Sequence, residues 1–437
     1  MSILALAWSG IARIGAPAAR WWLRRRAARG KEIAGRLDER AGIDPTPRPS
    51  GTLIWIHAAS VGETMSILPV LAELAAADVQ VLLTTGTTTA ARLLEDRLPA
   101  LGLHEHVRQR FAPLDVPQWA AGFLDHWQPD VAGFVESELW PNLLAGCRTR
   151  GIRVVLINAR LSARSFARWR RLPRLSHAIL AGVTQTLAQS QVDAHRFRAL
   201  GAARVSTPGN LKFAAQALPA DAGDLARLGA LLAGRPTWIA ASTHPGEDDL
   251  VFTAHRDLAR RHPGLLTILA PRHPERGGSL AAAARQAGLA VTTRSAGQLP
   301  PAEGIWIADT LGELGLFYRL APITFVGRSL IAPGGGQNPL EPARLGCAVA
   351  VGPHTDNFPD LVATLEHTGA LARVANLSAL VAWVDAMLRD PASRAVMGRA
   401  GALACARQAD LPAQIARTLL RLAEPGPGVE LPPGRDT

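Results

Sequence analysis

Cysteine is scarce in this 437-residue chain: Cys147, Cys347 and Cys405 are its only three, and each is solitary. With no C-x-x-C pair and no Cys/His cluster, neither a disulfide framework nor a zinc site is supported, and a reducing, cytoplasmic compartment is expected. Lysine is scarcer still. Of the 47 lysines and arginines only Lys31 and Lys212 are lysine, which leaves 45 arginines. A GC-rich genome favours arginine codons. A lysine surviving in that background is either a chance remnant or a position where a guanidinium cannot replace an ammonium.

A long apolar run is lacking too. The N-terminus, "MSILALAWSGIARIGAPAARWWLRRRAARGK", is interrupted by Arg13, Gly15, Pro17 and Arg20, whereas a membrane span needs about 20 predominantly apolar residues. It is also unlike a secretory signal, because its charges follow the apolar part. Tryptophans beside an arginine cluster suit a membrane–water interface with the basic side cytoplasmic. The bland alternative is an ordinary amphipathic first helix.

What is present is a hydrophobic content of 48% and a net charge of +11. The length suggests two or three domains at roughly 150 residues each. The charge points to an anionic partner: nucleic acid, a phosphate-bearing ligand or an acidic membrane. No aromatic-rich basic stretch or helix-turn-helix signature appears, so nucleic acid is not the expected partner.

From Thr52 short apolar runs alternate with helical patterns. "TLIWIH", "VQVLLTTG", "DVAGFVES", "IRVVLINA" and "TQTLAQS" come first; after the connection 217–236 come "TWIAAS", "LLTILAP", "AVTTRS", "GIWIADT", "PITFVG" and "CAVAVGP". Such runs, near-continuously apolar, argue parallel strands buried on both faces in βαβ units. The fold class is therefore α/β, with two Rossmann-like doubly wound halves facing an interdomain cleft. The divisions are 1–50 (membrane-associating), 51–213, 214–425 and a flexible tail 426–437.

Ligands in such sheets bind beyond the carboxyl ends of the strands. Glu63 falls there, after the first run. Ser60-Val-Gly-Glu63 matches a capping box, which competes with a general-base role for the carboxylate. Glu136 and Glu138, two apart, would share one face of an extended segment. They too have a plain alternative, as carboxylates favoured at a helix start. Lys212 lies where the chain leaves the first half. Arg272, with His273, follows a strand of the second half and suits a phosphate. Thr310 and Glu313 form a second T-x-x-E box. In "GGGQNPLEPA" Asn338 is expected to cap a helix starting at Pro339, with Glu341 completing a capping box. Capping alone does not call for Gly334-Gly335-Gly336, which would let another group approach the backbone. An anion is favoured at such a helix start. The G-x-G-x-x-G and Walker patterns are absent.

Taken in order, "HAASVGE", "VESELWPNL", "INARLSARS", "GNLKF", "ASTHPGE", "APRHPER", "DTLGEL", "FVGRSL", "GGGQNPLEPA" and "GPHTDNF" resemble the motifs of the 3-deoxy-D-manno-octulosonic acid (Kdo) transferases of lipopolysaccharide synthesis. The likeness runs to about residue 420. It implies a glycosyltransferase-B fold and inverting transfer of Kdo from CMP-Kdo to the tetraacyl lipid A precursor, lipid IVA, with release of CMP. It implies the cytoplasmic face of the bacterial inner membrane, with the N-terminal segment anchored or peripheral on an anionic surface. On the matching motif positions it implies Glu63 as general base and Glu136 and Lys212 as transition-state stabilisers. It places CMP on Pro271 and Arg272, on Gly312, Glu313 and Leu314, and on Asn338, Pro339, Leu340 and Glu341. No cofactor and no metal are expected. The chain departs from the pattern at Gly327-Arg328-Ser329, where relatives often carry Gly-Gly-Ser. The alternatives are another enzyme of this fold using a UDP-sugar, or a non-enzymatic nucleotide- or nucleic-acid-binding protein.

Overall fold

Every apolar run quoted above becomes a strand, and among the described residues the strands pair in parallel throughout. The computed structural model describes residues 3–424, without the side chains of 3–7; the tail 426–437 expected to be flexible lies outside the described residues. The chain forms two compact units. Unit 1 comprises the residues up to Ala215 together with those from Gln408 onward, and unit 2 is Gln216–Arg407.

The sheet of unit 1 contains β1 (Leu53–Ala58), β2 (Gln80–Thr85), β3 (Val107–Phe111), β4 (Val131–Val135), β5 (Arg153–Ala159), β6 (Gln185–Ala188) and β7 (Val205–Ser206), in the order β3-β2-β1-β4-β5-β6-β7. Its two faces are both covered. Ile54, Ile56, Val155 and Ile157 point into one core, Leu53, Trp55, Val154 and Leu156 into the other. This is why the inner strands read as unbroken apolar runs. Unit 2 repeats the plan with β8 (Thr237–Thr243), β9 (Leu266–Pro271), β10 (Val291–Thr293), β11 (Gly304–Ile307), β12 (Ile323–Val326), β13 (Ala348–Val351) and β14 (Leu371–Arg373), in the order β10-β11-β9-β8-β12-β13-β14. Each sheet therefore reverses its winding once, between β1 and β4 and between β8 and β12. Such a switch point is where a crevice opens beyond the strand ends.

The first segment of unit 1 ends at Ala215 and unit 2 ends at Arg407, short of the division expected at 425. The helix Leu411–Ala423 belongs to unit 1. Leu411, Ile415, Ala416 and Leu419 line one face of it and are buried with Ile54 and Ile56 of β1. Helical spacing of apolar residues drives that return of the chain.

The first fifty residues are likewise built into unit 1 rather than set apart. Two short helices, Ile3–Ile14 and Ala16–Ala28, meet at Gly15. No described helix is long and apolar enough to cross a membrane. Trp8 Nε1 donates to Asp115 Oδ2 at 3.1 Å, and Leu23 is buried. Arg40, also buried, is held by Glu32 and by the carbonyls of Ala112 and Gly86. Ile11, Ile14, Trp21 and Trp22 remain exposed.

Candidate functional site

The switch point of unit 1 is flanked by two carboxylates. After β1 the chain turns into the helix Val61–Ala76 with Ser60 as its extended N-cap. Ser60 Oγ accepts from Glu63 N at 3.3 Å and donates to Glu63 Oε1 at 2.8 Å; Ala59 N donates to Glu63 Oε2 at 2.8 Å. The capping box is thus formed, and it fixes the half-buried Glu63 carboxylate in place. Beside it Gly62 leaves open space, since a Cβ there would meet only Ser60 Oγ at 4.0 Å. Burial pushes the Glu63 carboxyl above its usual range, against the bonds from Ser60 and Ala59, and the charges of Glu136 and Glu138 push it further up.

Glu136 follows β4. It does not share an extended face with Glu138, as the two-residue spacing suggested. Its backbone is left-handed (φ +58°) and the following residues turn, so the two side chains take different partners. Glu136 Oε1 accepts from Lys212 Nζ at 2.8 Å. Glu138 Oε2 accepts from Trp140 Nε1 at 2.7 Å and lies 3.6 Å from His57 Nε2. Burial would raise the Glu138 carboxyl, but His57 and Trp140 outweigh it and hold the group low. Lys212 is placed by Asn210, whose Oδ1 accepts from Lys212 N at 3.0 Å, and by Leu211 N, which donates to Asn158 Oδ1 at 3.0 Å. Glu63, Glu136 and Lys212 are accordingly brought together on unit 1. His57 was missed in the sequence, though it ends the very run that leads to Glu63; it is buried and its Nδ1 lies 3.0 Å from Thr84 Oγ1.

On unit 2 the nucleotide candidates lie on loops after strands. Pro271 ends β9, and Arg272 N donates to Thr243 O at 3.0 Å while its side chain is exposed. Gly312 is left-handed (φ +82°). The T-x-x-E box at Thr310 is not a helix start: the helix is Leu314–Leu320, with Glu313 at its N-cap. Thr310 Oγ1 still donates to the Glu313 carboxylate, which also takes two bonds from Arg294, at 3.1 and 2.6 Å; Arg294 chiefly, with Thr310, holds it below the usual carboxylate range.

The Asn338 helix also differs from expectation. It covers only Leu340–Arg344, starting one residue late. Asn338 Oδ1 accepts from Leu340 N at 3.1 Å, and Asn338 Nδ2 donates to Glu341 Oε1 at 3.2 Å, so Glu341 bonds the cap's side chain rather than its backbone. Five residues give a weak macrodipole, which reduces the expected pull on an anion. Burial pushes the Glu341 carboxyl up. The glycines before it serve the chain itself. A Cβ on Gly334 would lie 2.3 Å from His354 Cβ, and one on Gly335 2.7 Å from Asn357 Nδ2.

A second cationic surface was also missed. The helix Ala163–Arg170 buries no residue, and Arg164, Arg168, Arg170, Arg171 and Arg174 around it are exposed with no acidic residue among them. It packs on the helix Pro173–Leu180, which in turn packs on Ile3–Ile14. The signal was an arginine run with interleaved Phe166 and Trp169, so a basic stretch with aromatics is present after all.

Residues 35–215 match the family described as 3-deoxy-D-manno-octulosonic-acid transferase (kdotransferase). Over 383 residues the chain is 35% identical to a probable 3-deoxy-D-manno-octulosonic acid transferase, mitochondrial, of Arabidopsis thaliana, with 84% of each chain covered. It is 35% identical over 379 residues to the 3-deoxy-D-manno-octulosonic acid transferase of Haemophilus influenzae, covering 84% of this chain and 86% of that one. The solved UDP-GlcNAc 2-epimerase of Neisseria meningitidis, bound to UDP-GlcNAc, superposes with a TM-score of 0.56 at 14% identity, over 85% of this chain and 100% of that one. At that identity it shares the fold alone, and the fold is glycosyltransferase-B.

Proposed function

Because the chain belongs to the family of 3-deoxy-D-manno-octulosonic acid transferases, we propose that it transfers Kdo from CMP-Kdo to the tetraacyl lipid A precursor in lipopolysaccharide synthesis. The observation that carries this is the trio on unit 1: a fixed, half-buried Glu63 on one side of the switch point and the Glu136–Lys212 pair on the other.

The proposed reaction is one displacement. A primary hydroxyl of the lipid attacks the anomeric carbon of Kdo, the bond from that carbon to the phosphate oxygen breaks, and CMP leaves with the electron pair. The configuration inverts. Glu63 takes the hydroxyl proton as the new bond forms. Glu63 does not have to leave its cap to do so. Each oxygen of an ionised carboxylate has a second lone pair, and each here accepts one hydrogen bond, from Ala59 N or Ser60 Oγ. The cap then serves the base, because it aims the carboxylate. Lys212, oriented by Glu136, offsets the charge of the sugar carboxylate or of an acceptor phosphate. On unit 2 Arg272 takes the departing phosphate, while Pro271, the 312–314 turn and residues 338–341 shape the CMP site. The short helix at Leu340 contributes less to this than Arg272.

The acid limb of turnover tests the base. A carboxylate accepts a proton only when ionised, so activity falls as pH drops through the raised Glu63 pKa. The limb is expected above the ordinary carboxylate value of 4.5. Glu138→Gln removes one of the two charges that raise it, so the limb should move to lower pH. A limb unmoved in that variant would count against Glu63 as the titrating group.

We place the enzyme on the cytoplasmic face of the inner membrane. Support comes from the exposed Trp21 and Trp22 beside Arg25 and Arg26, whose guanidinium carbons lie 5.4 and 4.7 Å from the ring centroids, and from the arginine-rich helix at 163–170. Each basic side chain near an anionic leaflet contributes about 1 kcal/mol, screened by salt. Binding to anionic vesicles should therefore weaken between low and high salt. Retention independent of salt would favour apolar insertion instead.

Nucleotide competition tests the donor. CMP is expected to compete with the donor and UDP is not; the reverse order would favour a UDP-sugar enzyme of the same fold.

A further inference from the structure

The switch point of unit 2 lies between β8 and β12. His244 follows β8, and Gly327-Arg328-Ser329 follows β12. Arg328 has a left-handed backbone (φ +56°), a conformation that burdens a side chain and that glycine adopts freely. Its backbone is clamped. Arg328 N donates to Glu247 Oε2 at 2.6 Å, Ser329 N and Leu330 N donate to Glu247 Oε1 at 2.9 and 3.0 Å, and Arg328 O accepts from Gly336 N at 2.8 Å. None of these bonds uses the arginine side chain, which is exposed. Glycine would satisfy the clamp better, so the guanidinium needs another reason to be there.

Its neighbours supply one. The His244 ring bonds Gln337 Nε2 at 3.2 Å and lies 5.8 Å, centroid to centroid, from His273. Burial lowers the His244 pKa, and the charge of Arg328 lowers it further, with His273 and Arg272 adding to the effect. Four cationic or protonatable groups therefore converge at the strand ends. Among the described residues the carboxylates nearby do not bond either guanidinium: Glu341, which feels the charge of Arg272, accepts from Asn338 Nδ2. Glu247 is 1% exposed and is spanned by four backbone amides, that of His244 included. Glu275 lies 3.5 Å from His273. Neither the Arg272 nor the Arg328 guanidinium has a hydrogen-bond or ion-pair partner among the described residues. Like charges so gathered repel one another, and an oxyanion between them would reverse the sign of that interaction.

We propose that Arg328, with His244 and Arg272, forms an oxyanion subsite at the switch point of unit 2 that takes the phosphate or the sugar carboxylate of the donor. The subsite rests on the donor reading above, and it gives this chain a contact that a glycine at position 328 could not make.

Binding of cytidine, CMP and CMP-Kdo to the full-length wild-type protein, R328G and R328K, followed by titration calorimetry, tests it. Losing a charge-assisted bond should weaken binding of the anionic ligand in R328G by about ten- to a hundredfold. R328K should keep part of that affinity. Weakening for both CMP and CMP-Kdo assigns the phosphate; weakening for CMP-Kdo alone assigns the carboxylate; cytidine should be unaffected in either case. The thermal midpoint of R328G should be no lower than that of wild type. Unchanged CMP and CMP-Kdo binding in R328G, or an equal loss for cytidine, would overturn the subsite alone. A wild-type protein that binds neither CMP nor CMP-Kdo would overturn the donor reading, and the subsite with it.

Discussion

Glu63→Gln is expected to reduce turnover by about 10²–10⁴-fold, the range for removing a general base, while CMP affinity stays near that of wild type. The amide is nearly isosteric and keeps an oxygen to accept from Ala59 N or Ser60 Oγ. The helix start should survive, so the loss would report on proton transfer rather than on folding. Its nitrogen cannot accept a proton at working pH. A steady-state rate with a parallel CMP titration reads both quantities, and a thermal midpoint checks the cap. Near-normal turnover in this variant would reduce Glu63 to its structural role, which the geometry alone fully accounts for.

Lys212→Arg is expected to lose most activity although it conserves charge. The ammonium sits 2.8 Å from Glu136 Oε1, on a short turn, Leu211–Ala214, whose backbone is fixed by Asn210 and Asn158. A guanidinium is larger, planar and fork-shaped. At that anchor point it would pair with Glu136 through two nitrogens and displace the charge from the place where the ammonium delivers it. In a chain with 45 arginines the substitution is otherwise the mildest available. Turnover and the Michaelis constant of both substrates, measured together, locate the defect: a fall in turnover with little change in either constant fits a charge that acts in the transition state. A fully active variant would show that the rarity of lysine carried no information.

The sequence disclosed the sheet interiors and one edge strand, β10, and hid the other three edges. β3, β7 and β14 went unread, and each lies at the edge of its sheet. In β3, "VRQRF", the middle three residues are only half-buried, so the strand lacks the continuous apolar run that two covered faces impose. The helix Leu411–Ala423 went unread as well, and its apolar stripe alone would not say which unit it covers.

The site divides in the same way. Glu63 could be found because a capping box is a local pattern, and the structure forms that box. The different partners of Glu136 and Glu138 depend on a left-handed residue after β4, which the spacing of two carboxylates does not encode. Asn338 and Glu341 fit a capping box in sequence, yet the helix they open is five residues long. Nothing local told that Gly334 and Gly335 before it make room for His354 and Asn357. Glu247 and His57 hold their neighbours through bonds to distant segments, and a buried polar residue of that kind is visible only once the strands are placed side by side.

The most direct measurement incubates the purified protein with CMP-Kdo and the tetraacyl lipid A precursor and follows the lipid by mass spectrometry. The lipid is expected to gain the mass of one or more Kdo residues, with CMP released in equal amount, and the gain should vanish with Glu63→Gln. An unmodified lipid, with a folded protein that still binds CMP, would contradict the proposed reaction.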